Sequence, residues 1–143
     1  MPAMLHQIQI KASAEKVYAA ITTEPGLSGW WTGDTVAQPQ VGSIAEFGFS
    51  NRATLFRMQI VELRPNRRVV WHCLGDIDEW AGTKLIWELS EIDNATELRF
   101  AHRQWRSTKA WFALCNTTWG ALMYHLKEYA EGKSPGPLFK GHV

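Results

Sequence analysis

The stretch from Thr108 to Glu131 leaves this chain few folds to choose from. Its apolar residues Trp111, Cys115, Trp119, Leu122, Leu126 and Tyr129 follow one another at steps of four, four, three, four and three. That spacing lines side chains along one face of an α-helix. Phe112, Met123 and Ala130 widen the stripe, while Thr117, Tyr124, Lys127, Glu128 and Glu131 fall largely opposite it. Ser107 is placed to cap the first turn with its hydroxyl. Gly132 suits the left-handed position after the last turn, and Pro135 stops any continuation. At about 1.5 Å per residue such a helix runs roughly 36 Å. A stripe of that length needs a broad apolar surface to cover it.

The residues before it read as that surface. Met4 to Lys11 is a β-prone run carrying Leu5, Ile8 and Ile10. Ser13 then caps a helix whose apolar face is Val17, Ala20 and Ile21. Glu24-Pro25 is predicted to end it, with a short helical turn from Leu27 to Trp31. From Thr35 the period becomes two, as in half-buried strands. Ala45, Phe47 and Phe49 alternate with Ile44, Glu46 and Gly48; Phe56, Met58 and Ile60 alternate with Arg57, Gln59 and Glu62. Val69, Trp71 and Cys73 follow, then Leu85, Trp87 and Leu89, then Leu98, Phe100 and His102. Pro65-Asn66 and Asp93-Asn94 are hairpin turns. The neighbours of Trp71 on the other parity, Val70, His72 and Leu74, are apolar enough for this strand to be covered on both faces. The order strand, helix, short helix, five or six antiparallel strands and long helix predicts an α+β fold, a curved antiparallel sheet wrapped around one C-terminal helix. It is one domain over residues 1–143, with its core at about 5–132 and a Gly/Pro-rich tail, 133–143, loosely attached.

Composition narrows the function classes. The formal charge is +1, from 15 basic and 14 acidic residues spread along the chain, so nothing calls for nucleic acid or an anionic membrane. No apolar run approaches the ~18 residues of a spanning helix, and Met1 to Ile10 lacks the plan of a signal peptide. Cys73 and Cys115 both sit among apolar residues, as unpaired thiols do in a cytoplasmic protein. Eight tryptophans require either a large core or an aromatic-lined cavity.

Several segments together resemble a known family. Ala12-Ser13-Ala14-Glu15-Lys16-Val17-Tyr18 is similar to the opening helix of the START-like (SRPBCC) superfamily. The likeness continues through Leu27-Ser28-Gly29-Trp30-Trp31, Val41-Gly42-Ser43, Leu63 to Trp71 and Thr96 to His102. Trp119-Gly120 with Leu122, Leu126 and Tyr129 resembles the final helix of the branch named after the activator of the heat-shock-protein ATPase. The resemblance, from about Ile8 to Glu131, implies a helix-grip fold with a deep apolar pocket between sheet and final helix. It departs from the branch's common pattern at Ser43 and over Arg103 to Phe112. Activities in the superfamily range over lipid and hormone binding, aromatic polyketide cyclisation, hydrolysis and co-chaperone work, so fold alone does not give function.

The chemistry-bearing residues are few. No Gly-x-Ser-x-Gly, His-Glu-x-x-His or Walker-type loop occurs. His102 shares parity with Leu98 and Phe100 and points inward, as a general base or as a core histidine bonded to its surroundings. Cys115 faces the same interior with nothing basic in the local sequence to activate it. Asp76, Asp78 and Glu79 lack the ligand spacing of a calcium loop and read as a solvated hairpin tip. His72 and Cys73 alternate across a strand and cannot hold one metal together. Arg99, Arg103, Arg106 and Lys109 read as a solvated face rather than a phosphate site. Trp30 and Trp31, between Gly29 and Gly33, are placed one to plug the core and the other to gate a cavity.

The favoured reading is a binding protein for a hydrophobic small molecule, without cofactor or metal. Its pocket is predicted to be lined by Trp30, Trp31, Phe47, Phe49, Phe56, Met58, Trp71, Trp87, Phe100, His102, Trp111, Phe112, Cys115 and Trp119. The alternatives are a cyclase- or hydrolase-like enzyme using His102 as base, and a module contacting a chaperone through the sheet's outer face. A homodimer is compatible with each.

Overall fold

Period-two alternation becomes strands because a strand sends successive side chains to opposite faces. The computed structural model describes residues 1–75 and 77–140. Strand β1 (Met4–Ile10) leads into helices α1 (Ala14–Thr22) and α2 (Glu24–Trp30). Six strands follow: β2 (Asp34–Val36), β3 (Ile44–Phe49), β4 (Thr54–Arg64), β5 (Arg68–Cys73), β6 (Lys84–Ile92) and β7 (Ala95–Arg103). Helix α3 (Phe112–Ala130) closes the order. The seven strands form one antiparallel sheet in the order β1-β7-β6-β5-β4-β3-β2, so the first strand lies beside the last. The helix-grip reading holds.

One face of this sheet carries the core. Trp87 lies opposite Phe100 and Val69, Trp71 opposite Leu85 and Ile60, and Phe47 opposite Phe56. The alternation slips once, at a bulge between Ile60 and Glu62, which turns Val61 outward and keeps Leu63 against the core. Asp93 and Asn94 both take positive φ, as the tight β6–β7 turn demands. Val70, on the opposite face, is also buried, between Glu62 and Ile86 of the neighbouring strands.

Four expectations need correction. In β1, Leu5 is exposed, and Met4 takes the inward parity with Ile8 and Ile10. Glu24-Pro25 does not merely end α1: Thr23 accepts the Gly26 N–H, and Pro25 stands in the first turn of α2, where its missing N–H costs nothing. The last helix begins at Phe112 rather than Thr108. Ala110 takes φ +55, a left-handed conformation no helix can run through. The Ser107 hydroxyl accepts only a local N–H from Lys109, and Trp111 precedes the helix without a side-chain cap.

The tail is the fourth. It is tied down as far as Lys140: Leu138 and Phe139 donate to the carbonyls of Trp30 and Trp31, and Gly33 donates back to Phe139. A Cβ on Gly33 would lie 2.7 Å from the Lys140 carbonyl oxygen, so only glycine allows the chain this close. At the helix end, Gly132 does take a positive φ.

Candidate functional site

The centre of the molecule is filled. Trp30, Phe47, Met58, Trp71, Trp87 and Phe100 are buried and packed on one another, Trp71 against Trp87 at 5.3 Å and Trp87 against Phe100 at 4.5 Å between ring centres. The Trp30 indole donates to the Ala20 carbonyl at 2.8 Å and so belongs to the core beneath α1. Trp119 descends from α3 onto this cluster, 4.5 Å from Phe100 and 5.1 Å from Trp31. Interlocked rings are the dense packing of a protein interior. The deep central pocket expected from the sequence is occupied by the side chains expected to line it.

His102 lies in this filled region and is fully buried. An indole only donates, so the Trp119 Nε1–H at 3.2 Å fixes His102 Nδ1 as an acceptor. The proton is then on Nε2, which donates to Thr83 Oγ1 at 2.8 Å, and that hydroxyl donates to the Trp80 carbonyl at 2.6 Å. Trp80 and Trp105 pack edge-on against the imidazole. Burial pushes its pKa down to about 3. A general base needs a free ring nitrogen with room for a substrate atom; both nitrogens of His102 are engaged with protein. It is a satisfied core histidine.

Cys73 is likewise inert, its thiol pushed up to about 12 by burial, although a Thr83 hydrogen bond works the other way. Among the described residues no group of His, Cys, Asp or Glu could hold a metal ion. Asp76 lies outside the described residues. Arg99 pairs with Glu97, and Arg106 donates to the Asp78 carbonyl. No helix of the described residues is long and apolar enough to cross a membrane.

The opening lies at one end of the interior, where α3 rises off the sheet. There the first helical turns, the β3–β4 end of the sheet, the Trp80 loop and the docked tail enclose a cleft of about 270 Å³. Of the predicted lining residues, Trp31, Phe49, Phe56, Trp111, Cys115 and Trp119 reach it. Trp30, Phe47, Met58, Trp71, Trp87, Phe100 and His102 are core, and Phe112 packs on Trp105 at 5.4 Å instead of facing the cleft. Trp31 is buried, stacked 4.3 Å from Phe47 below it, and so forms the floor of the cleft.

Trp80, Leu114, Leu122 and Phe139 also line the cleft, with the hydroxyls of Ser50, Thr54 and Thr118, and none of these is expected there from the sequence. Trp80 stacks on Phe56 at 4.0 Å. A tryptophan in a solvated acidic tip would be out of place, and that was the available signal. Phe139 meets Phe49 edge-on at 5.1 Å, and the Leu138-Phe139 pair in a polar tail hinted at it. Leu114 and Thr118 fall off the apolar stripe and gave no sign. The Cys115 thiol, half-buried at the cleft, is raised mainly by burial; the Trp80 indole lowers it and the negative charge of Glu79 raises it further. The Trp80 Nε1–H is itself buried with no oxygen or nitrogen acceptor, and the group it meets is the weakly accepting Cys115 sulfur.

Over residues 11–131 the sequence matches the family described as Activator of Hsp90 ATPase homolog 1-like protein. The fold superposes on the Aha1 dimer from Colwellia psychrerythraea with a TM-score of 0.85 and 36% sequence identity, covering 93% of this chain and 98% of that one. Protein MLL2253 from Mesorhizobium loti is similar at a TM-score of 0.81 and 15% identity, over 91% of this chain and 97% of that one. CalU16 from Micromonospora echinospora gives 0.72 and 14%, over 92% and 77%. The last two likenesses concern the fold alone. No curated protein matches the chain.

Proposed function

We propose, from the premise that this chain belongs to the Activator of Hsp90 ATPase homolog 1-like family, that it is a binding domain for a small, uncharged, largely apolar molecule. The observation that carries this is the cleft itself. It is walled by Trp31, Phe56, Trp80, Trp111 and Leu114, and among the described residues no Lys, Arg, His, Asp or Glu lines it. Ligand sites are apolar hollows of roughly 300–1,000 Å³ with a few polar groups; a cleft of about 270 Å³ suits a molecule of two or three rings. With His102 engaged on both sides, no acid–base pair among the described residues of the cleft supports catalysis here.

Native mass spectrometry of freshly purified protein, looking for a retained small molecule, tests the reading. So does tryptophan fluorescence on adding flat aromatic or fatty-acyl compounds. Binding should vary little with salt, since no charge is being matched. A protein that takes up only highly charged ligands, and loses them steeply with salt, would contradict it.

A second reading concerns assembly. The relative at 36% identity is a dimer, and α3 exposes Leu114, Thr117, Ala121 and Tyr124 at steps of three and four along one face. That supports a second copy of this chain as the occupant of the face. Sedimentation velocity over a concentration series, with Tyr124→Glu as comparison, checks it; a monomer at every concentration would sink it. A chaperone contact rests on the family's description alone.

A further inference from the structure

Trp80 differs from the other rings of the cleft. Trp119 gives its N–H to His102, whereas that of Trp80, like those of Trp71, Trp87 and Trp105, is buried with no oxygen or nitrogen partner, and of these four rings only Trp80 lines the cleft. The ring cannot turn to find one. It lies between Phe56 and His102, and its backbone is held by bonds from Trp80 N to Ile77 O and from Thr83 N to Trp80 O. The Thr83 hydroxyl adds a second bond to the same carbonyl. The polar group it meets on the cleft side is the Cys115 sulfur, a weak acceptor. A cysteine side chain turns about a single bond, so the thiol is a cover that one rotation removes.

We propose that the Trp80 indole N–H is the polar anchor of the cleft, donating to the carbonyl oxygen of a neutral, flat aromatic ligand once Cys115 has turned aside. This rests on the ligand-binding reading and adds the ligand's polar group to it. A carbonyl is favoured over a hydroxyl because the anchor only donates. It is favoured over a carboxylate because among the described residues no cation lines the cleft and Glu79 places negative charge near Cys115. Phe56 and Trp111 supply ring faces and edges for the aromatic body. The hydroxyls of Ser50 and Thr54 stand elsewhere in the lining.

The test compares 9-fluorenone with fluorene, which share a ring system and differ in the carbonyl, by calorimetric titration of the whole chain. Wild type should prefer fluorenone about three- to tenfold, the worth of one neutral hydrogen bond. Trp80→Phe should reduce that preference to near unity, and the ratio is the readout because Trp80 also walls the cleft. Should that variant fold poorly, the wild-type protein still decides. The Trp80 indole proton resonance, in protein labelled with ¹⁵N-tryptophan, should move downfield with fluorenone and not with fluorene. Cys115→Ala should keep or strengthen the preference, and its loss there would make the thiol the partner and overturn the assignment. Equal binding of the two compounds to wild type, or an unmoved Trp80 resonance with fluorenone bound, would also overturn it and leave the binding reading standing. If neither compound binds, both fall.

Discussion

The two halves of α3 are built from similar residues and do different things. From Trp119 onward the helix lies against β1, α1 and α2, and Trp119, Leu122, Met123, Leu126 and Ala130 are buried. From Phe112 to Thr118 no residue is fully buried, and Leu114 is 69% exposed. Side bonds follow the same division. The buried half is tied to β1 by Lys127 Nζ to the Gln9 carbonyl and by the Lys11 N–H to Glu131. In the raised half the only such tie among the described residues is His6 with Asn116. One half therefore holds the fold together and the other roofs a cleft. An element raised off its support has low local stability and is free to adapt, as binding segments commonly are.

The sharpest way to break the comparison is at the junction. Trp119→Ala removes a ring buried to 1% and leaves His102 Nδ1 without its donor, so chemical denaturation should show a loss of about 3–5 kcal/mol. A change near zero would mean the ring carries no load in the fold. Next comes a matched pair. Leu126→Ala, in the buried half, should cost about 2–5 kcal/mol, while Leu114→Ala should stay within about 0.5 kcal/mol and instead weaken fluorene binding. Equal costs would erase the distinction between the halves.

Acid probes the base of the junction. His102 is neutral in the fold, with a pKa near 3, whereas the unfolded chain protonates it near 6.5. Below 6.5 the unfolded state gains a proton the fold refuses, so stability falls as pH falls, by about 1.4 kcal/mol per unit down to about 3. From pH 6.5 to 5 the loss is about 2 kcal/mol. His102→Gln should lack that slope; an identical slope would place the titration elsewhere. Thr83→Val reaches the same imidazole from its other nitrogen. It takes away the acceptor of His102 Nε2 and one of the bonds that hold the Trp80 carbonyl, and should cost about 1–3 kcal/mol by chemical denaturation; a cost near zero would mean that His102 Nε2 has another acceptor.

How far the sequence announced all this depends on distance along the chain. Sheet and helix were legible because one apolar face imposes a local period. Phe47 and Phe49, or Leu126 and Ala130, show their orientation through near neighbours alone. The cleft was half legible. Phe56 and Cys115 carry the right parity, and the segment between Gly29 and Gly33 marks Trp30 or Trp31 as a gate, yet nothing in a period says where the helix parts from the sheet. That point depends on Ala110 taking a left-handed turn and on Trp105 filling the space beside Phe112. Trp80 and Phe139 are brought in by loops, whose contacts no periodicity encodes. His102 was correctly turned inward, but its partners come from the loop before β6 and from α3, and only the assembled fold shows that both ring nitrogens are satisfied.

The ring cluster also has an optical consequence. Trp105 neighbours Trp80, Trp80 neighbours Trp119, and Trp119 neighbours Trp31 and Trp87, which in turn meet Trp30 and Trp71, every step at 6.3 Å or less between centres. Indoles this close share their excited states, so light absorbed by any of seven chromophores migrates among them before it is emitted. Only Trp111, at the mouth, stands outside this chain of indoles, 6.5 Å from Phe56. A quencher seated against Trp31 or Trp80 therefore darkens the whole interior at once, and the emission of the protein is a single lamp wired to its cleft.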